Sequence, residues 1–124
     1  EFAKGRVVAL FGCGGDRDKT KRPVMGEIGA RVADFVIVTS DNPRTEDPMA
    51  IINDILPGME GYDTPHVVIP DRVEAIHYAM DNAQPGDVIV LAGKGHEDYQ
   101  EIDHKHYPMD ERVIVAEHLK EMRK

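Results

Sequence analysis

Four short apolar runs, each dense in β-branched residues, constrain the fold of this sequence more than any other feature: residues 6–11, 35–39, 66–69 and 87–92. Each has the length and texture of a strand covered on both faces, whereas a strand with one wet face would alternate apolar and polar side chains. The segments between them carry helix signals. Pro23 opens one that runs to about Ala33, and Asp47 followed by Pro48 is an N-cap with proline at the first helical position. A third helix starts at Asp71, with Val73, Ile76, His77 and Met80 at helical spacing. Residues 99–107 do not fit a helix and read as a polar excursion, such as a short hairpin. A last helix is expected from about Met109 to the end, with Val113, Val115, Ala116 and Leu119 on its inner side.

Strand and helix therefore alternate, which predicts an α/β fold: a Rossmann-like, mainly parallel sheet with helices on both faces and right-handed connections. At 124 residues the chain is one domain long, enough to bury an ordinary core without disulfides or metals. In open sheets of this kind ligands gather outside the carboxyl ends of the strands. The loops that follow Phe11, Thr39, Ile69 and Ala92 are therefore the ones to read for chemistry.

Charge and composition exclude several partners. Fifteen Lys plus Arg against 23 Asp plus Glu give a formal charge of -8 and a pI near 5.1. The summed field repels phosphate backbones, so nucleic acid is not an expected partner. No apolar stretch approaches the roughly 20 residues that span a bilayer, and no basic-then-apolar leader opens the sequence, so no membrane partner is expected either. Cys13 stands alone, which rules out an internal disulfide and makes the cytoplasm the expected compartment.

The loop after the first strand reads Gly12-Cys13-Gly14-Gly15-Asp16-Arg17-Asp18-Lys19. Closely spaced glycines let a backbone approach a ligand, and the helix that follows favours anions. The dinucleotide pattern G-x-G-x-x-G nevertheless fails, because Arg17 stands where the last Gly belongs, and no G-x-x-x-x-G-K-[ST] occurs in the chain. On its own the segment serves equally well as a tight turn with solvated charges.

The second loop is Ser40-Asp41-Asn42-Pro43-Arg44-Thr45. Pro43 fixes its own φ and biases Asn42 toward extended geometry, which stiffens the loop. Arg44 offers a planar fork able to grip a carboxylate through two parallel hydrogen bonds, and Asp41 and Asn42 offer acceptors for an ammonium group. The same residues also suit a plain turn into the next helix, with Arg44 paired to Glu46 or Asp47 on the surface. The third loop, Gly93-Lys94-Gly95-His96-Glu97-Asp98, again permits close backbone approach, and Glu97 could pair with an ammonium. The Asp and His residues are too scattered to define a metal site. Arg17, Asp41, Arg44 and Glu97 at one sheet edge would suit a zwitterion. No nucleophile–base pair can be named from spacing, so these residues point to binding rather than to bond-making.

Read together and in order, GCGGDRDKTKRP (residues 12–23), DNPR (residues 41–44) and AGKGHEDYQ (residues 92–100) resemble the C-terminal domain of the UDP-N-acetylmuramoyl-tripeptide synthetases, the MurE branch of the Mur ligases. The resemblance covers essentially the whole chain, residues 1–124. It implies an ATP-driven, Mg2+-dependent ligase of peptidoglycan synthesis in which a carboxylate of UDP-N-acetylmuramoyl-L-alanyl-D-glutamate is activated and then attacked by the amine of an amino acid. In that family DNPR marks enzymes that choose meso-diaminopimelate over L-lysine, and it maps without substitution onto Asp41, Asn42, Pro43 and Arg44. Arg17, Gly93 and Glu97 match further substrate-binding positions, with Arg44 implied on the distal carboxylate and Glu97 and a carbonyl of the Gly93 loop near the distal amine. The P-loop and magnesium ligands of the family belong to a central domain and the uridine site to an N-terminal one. Neither is in this sequence, so no cofactor and no metal are expected in this chain, and the isolated domain is expected to lack ligase activity. An L-lysine-adding ligase and a stand-alone small-molecule binding module are the alternatives.

Overall fold

The structure is a computed structural model and describes residues 6–15, 19–91, 99–102 and 105–108. Four parallel strands form the main sheet, β1 (Val7–Phe11), β2 (Phe35–Val38), β3 (His66–Val68) and β4 (Val88–Leu91), in the order β3-β2-β1-β4. Val8 lies opposite Phe35 on one side and Ile89 on the other, so β1 is central. Helices α1 (Lys21–Val32), α2 (Pro48–Ile55) and α3 (Arg72–Asp81) connect the strands, with a short 3-10 turn at Leu56–Met59 after α2.

The apolar runs divide their side chains between two cores. On one face Phe11, Val36 and Val38 pack with Ala30 of α1 and with Ile51, Ile52 and Ile55 of α2. On the other, Val8, Leu10 and Ile37 pack with Ala75, Ile76 and Ala79 of α3. Helices thus cover both faces, as the alternation of elements predicts. The chain steps from β1 to β2 to β3 beneath α1 and α2, then returns past β1 to β4 beneath α3. That reversal places the crevice of a doubly wound sheet beside the carboxyl ends of β1 and β4.

Where the helices begin follows from their first turns. Asp47 caps α2 by accepting from the Met49 N–H at 3.0 Å, with Pro48 at the first position. Asp71 caps α3 by accepting from the N–H groups of Val73 at 2.9 Å and Glu74 at 3.2 Å. Helix α1 starts two residues earlier than Pro23 predicts, because a first turn has no use for the N–H that proline lacks. The buried face of α3 comprises Arg72, Ala75, Ile76 and Ala79 rather than Val73, His77 and Met80, which are half-buried. Two alanines let the helix sit close to the sheet. Strands β1 and β2 are largely buried, but β3 and β4 are the outer strands among the described residues, and Val88 and Val90 are exposed.

Residues 99–107 include the hairpin that their polarity suggested: β5 (Tyr99–Ile102) pairs antiparallel with β6 (Lys105–Pro108), Tyr99 opposite Pro108. The expected last helix lies outside the described residues.

Candidate functional site

The loops after β1 and β2 leave neighbouring parallel strands at their carboxyl ends and lie against each other. The Gly15 N–H donates to the Asn42 carbonyl at 2.7 Å. In return Arg44 Nη1 donates to the Gly15 carbonyl at 3.1 Å and to the Asn42 carbonyl at 3.2 Å. A hydrogen bond from the Glu46 N–H to the Pro43 carbonyl, 2.9 Å, closes a four-residue turn around Arg44. Within that turn Arg44 has φ 54°, the left-handed region, which costs an L-residue about 1–2 kcal/mol. Such a backbone persists only where its surroundings over-determine it.

The glycines of the first loop have a definite task in this contact. A Cβ on Gly12 would overlap the Thr39 carbonyl oxygen, and one on Gly15 would overlap that of Pro43. The sequence left ligand approach and a tight turn open. What comes close at both positions is the backbone of the neighbouring loop.

Of the second-loop residues singled out from sequence, Asn42 and Pro43 are buried and underpin the loop, while Asp41 and Arg44 are half-buried. Glu46 and Asp47 have other partners: Glu46 presents both carboxylate oxygens to Arg22, and Asp47 caps α2. Strand β4 ends at the same edge, Leu91 lying beside Leu10 of β1. The remaining candidates, Arg17 of the first loop and Gly93 and Glu97 of the third, lie outside the described residues.

Two arginines that sequence reasoning missed support these loops from opposite faces of the sheet. Arg22, 1% exposed in the first turn of α1, donates through Nη1 to Glu46 at 3.1 Å and Asp54 at 2.8 Å. Its Nη2 donates to Glu46 at 2.8 Å and to the Gly14 carbonyl at 3.1 Å. The Glu46 contact holds the guanidinium above its ordinary pKa, against the opposing effect of burial. Arg72, fully buried at the start of α3, donates to the Ser40 carbonyl at 3.0 Å. A signal for both existed: a cation in the first turn opposes the helix dipole, so its presence there asks for a partner. Burial pushes the Cys13 thiol pKa up.

Among the described residues no group of three or more His, Cys, Asp or Glu side chains is placed to hold a metal ion. Nor is any described helix long and apolar enough to cross a membrane. The sequence carries no P-loop, and among the described residues of the first loop the space at Gly12 and Gly15 is taken by backbone of the second loop.

Comparison with known proteins gives this arrangement its context. Residues 1–95 match the family described as Mur ligase, glutamate ligase domain. The UDP-N-acetylmuramoyl-L-alanyl-D-glutamate--2,6-diaminopimelate ligase of Caldanaerobacter subterraneus subsp. tengcongensis is 57% identical over 124 residues, all of this chain and 26% of that protein. The ligase of the same name from Clostridium botulinum is 52% identical over 98% of this chain and 25% of its own length. A solved structure titled as that ligase superposes with a TM-score of 0.93 at 44% identity, covering 98% of this chain and 25% of the other. The chain thus spans about a quarter of the length of the curated relatives it matches. With a family match over residues 1–95 and near-complete overlap with these relatives, the chain belongs to the Mur ligase family and matches its glutamate ligase domain.

Proposed function

We propose that this chain is the amino-acid-recognition domain of a cytoplasmic, ATP-dependent ligase that joins meso-diaminopimelate to UDP-N-acetylmuramoyl-L-alanyl-D-glutamate in peptidoglycan synthesis. The observation that carries the reading is the setting of Arg44. Two backbone carbonyls fix its Nη1 at the carboxyl edge of the sheet, so the guanidinium plane has a set direction before any ligand arrives. A pre-oriented fork suits a carboxylate better than a point charge does. Diaminopimelate differs from lysine by a carboxylate on the distal carbon, and one relative named for that substrate aligns with the whole of this chain and another with 98% of it. Asp41 beside Arg44, with Arg17, Gly93 and Glu97, completes the proposed site on a zwitterion, Asn42 and Pro43 serving as its buried support. ATP, Mg2+ and the nucleotide precursor are assigned to the rest of a longer protein. This domain contributes recognition and the orientation of the attacking amine, an effect worth on the order of 7–11 kcal/mol in well-oriented model systems.

The test is Arg44→Ala in the full-length ligase, with kcat/KM measured for diaminopimelate and for lysine. Removing a charge-assisted contact costs about 1.5–3 kcal/mol, so the preference for diaminopimelate should narrow by roughly 10- to 150-fold. An unchanged ratio would remove Arg44 from the specificity site, and a wild-type enzyme that prefers lysine would defeat the substrate assignment.

A further inference from the structure

We infer that Arg22, through Glu46, is a positioning residue that sets the aim of Arg44 and thereby its selectivity for a distal carboxylate; the inference rests on the reading of Arg44 given above. Two segments set the direction of Arg44 in its left-handed turn, the first loop at Gly15 and the stretch of the second loop that follows it. Gly15 supplies the carbonyl that receives Arg44 Nη1, and Glu46 supplies the N–H that closes the turn onto Pro43. Arg22 reaches both of these segments at once. Its Nη2 holds the Gly14 carbonyl, one residue before Gly15, and its two terminal nitrogens meet the two carboxylate oxygens of Glu46 side by side. A further contact to Asp54 ties the group to α2. A single buried guanidinium therefore spans the first loop, the second loop and two helices.

The geometry needs an arginine and a carboxylate. The planar fork fixes both distance and angle of the Glu46 carboxylate, and a lysine ammonium, with one donor centre, cannot hold Gly14, Glu46 and Asp54 in these directions together. Glu46 stands two residues beyond Arg44, so a change in its carboxylate contacts bears directly on the turn. Misplacement of a binding group by about 1 Å costs up to roughly 100-fold in rate.

The experiment uses the full-length ligase and the variants Glu46→Gln, Arg22→Lys and Arg44→Ala, with the double variant Glu46→Gln/Arg44→Ala. Glu46→Gln keeps the size of the side chain and the backbone N–H that closes the turn. It is expected to lower kcat/KM for diaminopimelate by up to about 100-fold and to narrow the diaminopimelate-to-lysine ratio. Arg22→Lys should do the same. In the Arg44→Ala background, Glu46→Gln should leave the ratio as it is, because there is no fork left to aim. Thermal melts accompany each variant, and Glu46→Gln is read even if Arg22→Lys fails to fold. Additive effects of Glu46→Gln with and without Arg44, or a fall in kcat and melting temperature with the ratio intact, would overturn the positioning role. If instead Arg44→Ala itself leaves the ratio unchanged, the reading of the site fails, an outcome distinct from the failure of this inference alone.

Discussion

Gly15 and Pro43 meet backbone against backbone, with the Pro43 carbonyl occupying the place where a Gly15 side chain would begin. The contact seats the second loop on the first, since the Gly15 N–H also reaches the Asn42 carbonyl. Gly15→Ala should force the two loops apart. We expect a destabilisation of about 1–3 kcal/mol in denaturant unfolding, the range for overpacking a close contact. Gly61→Ala is the control, because a Cβ there meets nothing within 4 Å, and its effect should be neutral or slightly stabilising, up to about 1 kcal/mol. Equal effects at the two positions would show that the loops do not touch as described.

The edge opposite the candidate site predicts a pH dependence. Asp87 accepts from Arg6 Nη2 at 2.9 Å and from the Gln84 N–H at 2.9 Å, and the Arg6 contact, the larger influence, helps hold its carboxyl down to about 2. A lowered folded-state pKa means that the unfolded chain binds the proton first, near pH 4. The stability Asp87 contributes is then fully present above about pH 4 and lost as pH falls toward 2. In denaturant titrations, Asp87→Asn should be less stable than the parent at pH 7, with the gap closing across that acid window. A gap that stays constant down to pH 2 would contradict the assignment.

Helix capping gives a third expectation. Asp71 receives two N–H groups of α3, so Asp71→Ala should cost about 0.5–2 kcal/mol, whereas Asp71→Asn or Asp71→Ser should retain most of the stability. Alanine matching serine in thermal unfolding would show that the cap contributes nothing.

How much of this was legible in the sequence depends on the range of the interaction. Asp47-Pro48 and Asp71 announced two helix starts because a cap acts within three residues, and the β-branched runs announced all four strands, although the burial on both faces that they suggested holds for β1 and β2 and not for β4, where Val88 and Val90 are exposed. The expectation of one shared edge was met for the first two loops, since parallel strands bring their carboxyl ends together. What was not legible was what each loop touches. The glycines read equally well as ligand-binding or as turn-forming, and only the adjacency of β1 and β2 shows that Gly12 and Gly15 make room for residues 39–43. Arg22 and Arg72 were not singled out from sequence, because their partners lie 24 and 32 residues away in Glu46 and Ser40. Arg17, Gly93 and Glu97 lie outside the described residues and rest on the sequence, through the charges of their loops and the family resemblance.

The left-handed backbone at Arg44 separates two properties that one substitution would otherwise mix. Arg44→Ala and Arg44→Gly both remove the guanidinium, so both should lose selectivity for diaminopimelate to the same degree. Their stabilities should differ in an unusual direction. At an ordinary position glycine is the less stable choice, by about 0.4–1 kcal/mol, because it leaves the unfolded chain more freedom. At φ 54° alanine carries the steric cost of about 1–2 kcal/mol that glycine avoids. The second effect is the larger, so Arg44→Gly should unfold at a higher temperature than Arg44→Ala, by a few degrees for a domain of this size. The parent pays the same backbone cost as alanine, offset by the two hydrogen bonds from Arg44 Nη1 to Gly15 and Asn42. Thermal melts of the two variants of this chain, run side by side, decide the matter: alanine melting above glycine would mean that position 44 is not held in the left-handed region, and the fixed direction of its guanidinium would lose its structural basis.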